Sequence, residues 1–167
     1  MLISDGIPAK EDIAVVCPSD ERMAKGPVAI VECFQEIPCN PCVGACKQGA
    51  ITMARDINAL PVVDAERCNG CGVCITFCPG LAIFVVDKSF SAERALVKLP
   101  FEYVPVPGAG QYAVGLDRAG KELGRFEVVR VTPGGKENLT YTISLAVPQG
   151  LAMDVRGIQE GGYTDGV

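Results

Sequence analysis

Nine cysteines punctuate this chain of 167 residues, and four of them fall in one tight run, Cys68-Asn69-Gly70-Cys71-Gly72-Val73-Cys74-Ile75-Thr76-Phe77-Cys78-Pro79. Its pattern is C-x2-C-x2-C-x3-C-P. Gaps of two residues let thiolates converge on one face of a compact loop. Gly70 and Gly72 permit turns that a side chain would obstruct, so the backbone can lie close to whatever the thiolates hold and aim N–H groups at sulfur. The chemistry open to such a set is metal ligation.

A near-copy lies upstream, in Cys33-Phe34-Gln35-Glu36-Ile37-Pro38-Cys39-Asn40-Pro41-Cys42-Val43-Gly44-Ala45-Cys46-Lys47-Gln48-Gly49-Ala50-Ile51. The gaps Cys39 to Cys42 and Cys42 to Cys46 match Cys71 to Cys74 and Cys74 to Cys78. Ala50-Ile51 follows Cys46 at the spacing at which Ala82-Ile83 follows Cys78. The chain therefore contains an internal repeat, which outranks local propensity as a guide to architecture. The copy departs at two places. The position equivalent to Cys68 is Glu36, with Cys33 three residues earlier and Pro38 shaping the turn, and Lys47 replaces the proline after the fourth cysteine.

Composition narrows the choice of ligand. Disulfide frameworks belong to secreted chains, whereas Met1–Pro8 has neither a basic start nor a long apolar run and does not read as a signal peptide. No stretch approaches the roughly 18 apolar residues of a membrane helix. Thiols in a reducing cytoplasm are expected. Histidine is absent, which removes Cys/His zinc fingers, Rieske-type ligation and histidine-based catalytic pairs. Four-cysteine zinc sites use paired C-x2-C elements. Two matched runs of three or four cysteines favour iron–sulfur clusters instead. The radical-forming order C-x3-C-x2-C does not occur. Cys17 has no partner at ligand spacing and reads as a free thiol. The net charge of −5 argues against nucleic acid and anionic membranes, and suits docking to a basic surface on a larger protein.

The elements that must position these cysteines can be read around them. Residues 1–27 form an N-terminal extension with short helices over Lys10–Val16 and after Ser19, a capping residue followed by Asp20 and Glu21. Val28–Val31 and Ile83–Val86 read as apolar strands that pair and close a cysteine-bearing unit over 28–87. Ile51–Arg55 and Leu60–Asp64 read as a hairpin. Residues 88–99 read as a connector with a short helix capped by Ser91. Residues 100–158 carry strand patterns at Gln111–Leu116, Arg125–Val131 and Leu139–Val147, separated by glycine turns, and read as a small all-β barrel or sandwich ending in a short helix over 149–158. A flexible glycine-rich tail is expected over 159–167.

Residues 28–86 resemble a two-[4Fe–4S] bacterial-type ferredoxin domain. The resemblance implies an α+β fold with a pseudo-twofold repeat binding two clusters, followed here by the β domain. It also implies that the fourth cysteine of each run crosses to the other cluster. One cluster would take Cys68, Cys71, Cys74 and Cys46. The other would take Cys39, Cys42, Cys78 and one ligand from the disturbed corner. Cys33 is the candidate there, Glu36 the oxygen-ligand alternative, and a site of three thiolates holding a [3Fe–4S] cluster the third case.

The string Ile30–Cys42, with Pro100-Phe101-Glu102-Tyr103-Val104-Pro105-Val106-Pro107, further resembles small ferredoxin-like subunits accompanying FAD-dependent amine or amino-acid dehydrogenases. Such assemblies are similar to proline dehydrogenase, sarcosine oxidase-like, opine oxidase-like and hydrogen cyanide synthase-like complexes of bacteria. The resemblance implies a hetero-oligomer in which a flavoprotein, holding FAD or FMN, oxidises a C–N bond and this subunit carries electrons onward singly. The expected setting is the cytoplasm of an anaerobe. The residues support no catalysis of the chain's own: Gly108-Ala109-Gly110 and Gly134-Gly135-Lys136 complete no phosphate-loop pattern and fall at turns. The alternatives are a stand-alone ferredoxin and a zinc-stabilised interaction protein.

Overall fold

A computed structural model of the chain describes residues 2–136 and 138–166. Met1 and Val167, the outer ends of the expected extension and tail, lie outside the described residues. The extension folds as three short helices, α1 (Leu2–Asp5), α2 (Lys10–Val16) and α3 (Asp20–Ala24). Ser19 caps α3, its Oγ accepting the Arg22 N–H at 3.2 Å.

The apolar stretch Val28–Val31 forms β1, which leads into the first cysteine run and its helix α4 (Pro41–Ala45). A hairpin follows, β2 (Ile51–Met53) with β3 (Pro61–Val63), and then the second run with helix α5 (Val73–Phe77). Strand β4 (Ile83–Asp87) returns antiparallel to β1, with Val28 opposite Val86 and Val31 opposite Ile83. The remaining strands are β5 (Arg94–Phe101), β6 (Tyr112–Leu116), β7 (Glu122–Pro133), β8 (Tyr141–Pro148) and β9 (Gly157–Ile158).

These strands join a single seven-stranded sheet, ordered β1-β4-β5-β8-β7-β6-β9. Its pairings are antiparallel. The sheet runs straight through the boundary suggested at residues 88–99. Where a connector helix is expected, Ser91 closes a tight turn, its Oγ accepting the Arg94 N–H at 3.0 Å, and β5 pairs with β4. The physical reason is the strict alternation after Arg94. Ala95, Val97, Leu99 and Phe101 are buried while their neighbours are less so, and that two-residue period cannot be satisfied by a helix. The short helix expected over 149–158 is a single 3-10 turn at Gln149–Leu151, followed by β9. Residues 159–166, at the expected tail, lie against β6: Gln159 N–H donates to Val114 O at 2.9 Å, and Tyr112 and Thr164 exchange backbone hydrogen bonds.

The β1–β4 pair explains how the two parts hold together. Val28, Ile30, Phe84 and Val86 face a core shared with β5, β7 and β8. Ala29, Val31, Ile83 and Val85 face the opposite way, into a second core that contains Cys42, Cys74 and Ile75. Every residue of β1 is buried, and each buried valine or isoleucine is worth roughly 1.5–3 kcal/mol relative to exposure. A four-residue strand is thus held by packing on both faces, and the cysteine loops rest on a floor braced from below.

Candidate metal centre

The two cysteine runs fold alike. Cys42 and Cys74 lie inside α4 and α5, and Cys46 and Cys78 terminate those helices. Pro41 starts α4, where its missing N–H costs nothing. Gly72 precedes α5 in the left-handed region at φ +86°. Each helix end closes through sulfur: Ala50 N–H donates to Cys46 Sγ at 3.3 Å, and Ala82 N–H to Cys78 Sγ at 3.4 Å. Cys68 Sγ accepts from Ala29 at 3.3 Å and from Gly70 at 3.4 Å. These N–H groups would delocalise charge on any metal-bound sulfur.

The structure draws eight cysteines into two groups. Burial pushes the Cys74 thiol up to about 12, and the neighbouring Cys68, Cys71 and Cys46 add to it. Cys46 therefore sits with the three leading cysteines of the second run. Burial also raises Cys33 and Cys42, and both feel Cys78 and Cys39. Those four thiols, Cys33, Cys39, Cys42 and Cys78, line one cavity together with Val31 and Ile83. Glu36 is exposed and stands outside that lining. Cys17 belongs to neither group: its Sγ donates to Pro18 O at 3.3 Å, and it packs on the opposite core.

Among the described residues no three Cys, Asp or Glu side chains close on one point as a single ion requires. Cluster thiolates stand further apart than the ligands of one zinc, because a core of iron and sulfide lies between them. Because the buried thiols are held protonated, loading metal must release protons.

Charged residues outside the two thiol groups fix these loops in place. Arg22 of α3 donates to Cys68 O and Ala65 O, both at 2.7 Å, and to Gly26 O and Pro27 O. Lys98 of β5 donates from Nζ to Gly70 O at 2.8 Å. Glu32, directly before Cys33, receives Arg118 through both carboxylate oxygens at 2.6 and 2.7 Å, and Arg156 Nε at 2.7 Å. Burial would raise the Glu32 carboxyl, but the Arg118 hydrogen bond and the Arg156 charge outweigh it and hold it below the usual range. Arg156 also stacks over the Phe84 ring at 5.0 Å. The adjacency of Glu32 to Cys33 was the one sequence clue to this set. Arg22, Lys98, Arg118 and Arg156 carry no motif.

Two interleaved groups of four thiols, with N–H groups aimed at sulfur and apolar walls, fit iron–sulfur clusters. Residues 37–82 match the family model of the 4Fe-4S dicluster domain. This segment is a 4Fe-4S ferredoxin-type domain. No curated protein and no solved structure matches the chain. The dicluster match begins after Cys33 and spans the other seven cysteines of the two groups. It also ends before β5, so the strands that brace the dicluster segment lie beyond it. What such a domain supports is iron–sulfur electron transfer.

Proposed function

We propose that this chain is a two-cluster electron-transfer subunit, with one [4Fe–4S] cluster on Cys68, Cys71, Cys74 and Cys46 and the other on Cys39, Cys42, Cys78 and Cys33. The observation that carries the reading is the crossing of the last cysteine of each run: Cys46 neighbours the second run, while Cys78 shares a cavity with the first. A pair of independent zinc loops has no reason to interleave in that way. Cys33 is preferred to Glu36 because it lines the cavity and Glu36 does not.

The clusters, when bound, supply one-electron redox chemistry. The chain's own residues do the rest. Ile75, Ile83 and Val85 exclude water from the cysteine-bearing core. The N–H groups of Ala29, Ala50, Gly70 and Ala82 stabilise negative charge on sulfur. These dipoles are in place around the sulfurs and would offset the charge of a cluster held there.

The partner follows from the sequence resemblance: an FAD-dependent dehydrogenase of amines or amino acids, in a cytoplasmic hetero-oligomer to which this chain contributes no catalysis of its own. No helix among the described residues is long and apolar enough to cross a membrane. Anaerobic purification of the native protein tests the reading. Brown protein with about eight irons and a co-purifying flavoprotein is the expected result. Eight irons without flavin would leave a stand-alone ferredoxin, and colourless protein with zinc would end the electron-transfer reading.

A further inference from the structure

The sheet has a second face beside the cysteine loops. Lys98 of β5 and Arg130 of β7 both pair with Ser144 of β8, so the three residues form one row across three strands. Together with Thr132, Thr142 and Cys71 they line a groove of about 510 Å³ between the sheet and the second cysteine loop. Among the described residues no Asp or Glu lines it. Asp87 acts on Lys98 from the neighbouring strand but stands outside the lining. Lys98 is tied to Gly70 O, whereas Arg130 is exposed. Among the described cysteines Cys71 alone is exposed. Beside it Val73 and Phe77 stand 41% and 48% exposed.

Electrons leave a buried cluster most readily where a ligand reaches the surface, and Cys71 is that ligand if the cluster assignment above holds. The surface around it contradicts the net charge of the chain. A protein of net −5 places Lys98 and Arg130, with the exposed side chains of Val73 and Phe77, at this spot. That local charge selects a partner of opposite sign.

We propose that the groove beside Cys71 is an electron port that docks an acidic segment of a redox partner protein, held by Lys98 and Arg130. The step is a single electron passing from the cluster to the partner's acceptor, with no bond made and no proton moved. The inference rests on the two-cluster reading, and the test separates the two.

The test uses anaerobically prepared holoprotein and its Arg130→Glu variant, each reduced and then oxidised by Fe(III)-EDTA, an anion, or by hexaamminecobalt(III), a cation. The ratio of the anion rate to the cation rate is expected to fall by about tenfold in Arg130→Glu at low ionic strength, and to recover toward the wild type as salt screens the site. Iron content and the visible spectrum stay unchanged. Arg130→Gln gives a smaller change in the same direction. Poly-glutamate, followed by calorimetry, binds the wild type and slows the Fe(III)-EDTA reaction, and both effects weaken in Arg130→Glu. An unchanged ratio in a fully loaded variant overturns the port. Competition by inorganic phosphate but not by poly-glutamate overturns the acidic-protein partner in favour of a small-anion site. Protein lacking iron refutes the cluster reading, while the calorimetry still reports on the groove.

Discussion

Arg156 Nε lies 2.7 Å from a carboxylate oxygen of Glu32, across 124 residues of chain. Arg118 grips the same carboxylate from the turn after β6. Glu32 also donates its backbone N–H to Ala82 O at 2.8 Å, so the residue before Cys33 is fixed at both backbone and side chain. The corner that departs from the repeat is thereby held by the strands that the repeat lacks. Glu32→Gln leaves a buried guanidinium short of its counter-charge, at a cost of about 3 kcal/mol. The expected result is a lower Tm together with selective loss of one cluster, read as iron falling from about eight toward four while one electron-paramagnetic signal persists. Because the carboxyl is held below its ordinary 4.5, its stabilisation is present above about that pH and disappears as pH falls through the lowered value. Glu32→Gln flattens that acid limb. An unaltered acid limb and full iron content would show that the triad does not position Cys33.

Cys33 and Glu36 separate cleanly by substitution. Cys33→Ala removes a cavity-lining thiol and is expected to convert the second cluster to a three-iron form or to abolish it. Glu36→Ala alters an exposed residue and is expected to leave iron content and spectra unchanged. Iron counting with electron paramagnetic resonance reads both. Two intact four-iron clusters in Cys33→Ala would refute its assignment.

The cysteine spacing made a candidate site legible because ligation imposes short, fixed gaps on the chain. Val28–Val31 and Ile83–Val86 were legible as paired strands because they are apolar at every position, as burial on both faces demands. Ser91 misleads as a helix cap because a serine also closes tight turns, and the alternation from Ala95 to Phe101 decides the matter only when read over the whole strand. The merger of the β strands with the cysteine unit left no local mark. It depends on β4 pairing with β5, and on Arg118 and Arg156 reaching back to Glu32, contacts between residues far apart in sequence.

Gly70 has a requirement that space and backbone both impose. Its φ is +63°, and a Cβ there would stand 2.6 Å from the carbonyl carbon and oxygen of Pro27, and closer still to the Pro27 Cβ. Gly70→Ala must push the second cysteine loop away from β1, breaking the Ala29–Cys68 contact and the Lys98 tie. The left-handed conformation alone costs about 1–2 kcal/mol for a residue with a side chain. The expected outcome is loss of the cluster on Cys68, Cys71, Cys74 and Cys46, seen as halved iron content. Gly80→Ala, where a Cβ meets nothing within 4 Å, serves as the control and is expected to behave as the wild type. Equal iron content in the two variants would mean that Pro27 yields to the added methyl.

In the metal-free protein the thiols should differ sharply in reactivity. Cys71 is exposed, whereas Cys74 is buried with its thiol pushed up to about 12. Only the thiolate alkylates, and at pH 8 a thiol of that kind is ionised to roughly one part in ten thousand. Iodoacetamide followed by peptide mass spectrometry is expected to modify Cys71 more than about a hundredfold faster than Cys74. The same burial makes the fold hold the Cys74 proton more tightly than the unfolded chain does. The contribution of this thiol to the stability of the metal-free form is therefore fully present below the ordinary thiol value of 9.0, and it is lost as pH rises from there toward 12. Cys74→Ser keeps a small polar side chain but removes that titration, and should make the alkaline limb shallower between those two values, with Cys33 and Cys42 still contributing. Comparable alkylation of Cys71 and Cys74 at pH 8 would show that the α5 loop opens in the absence of metal, so that the cysteine-bearing core forms only as the clusters are loaded.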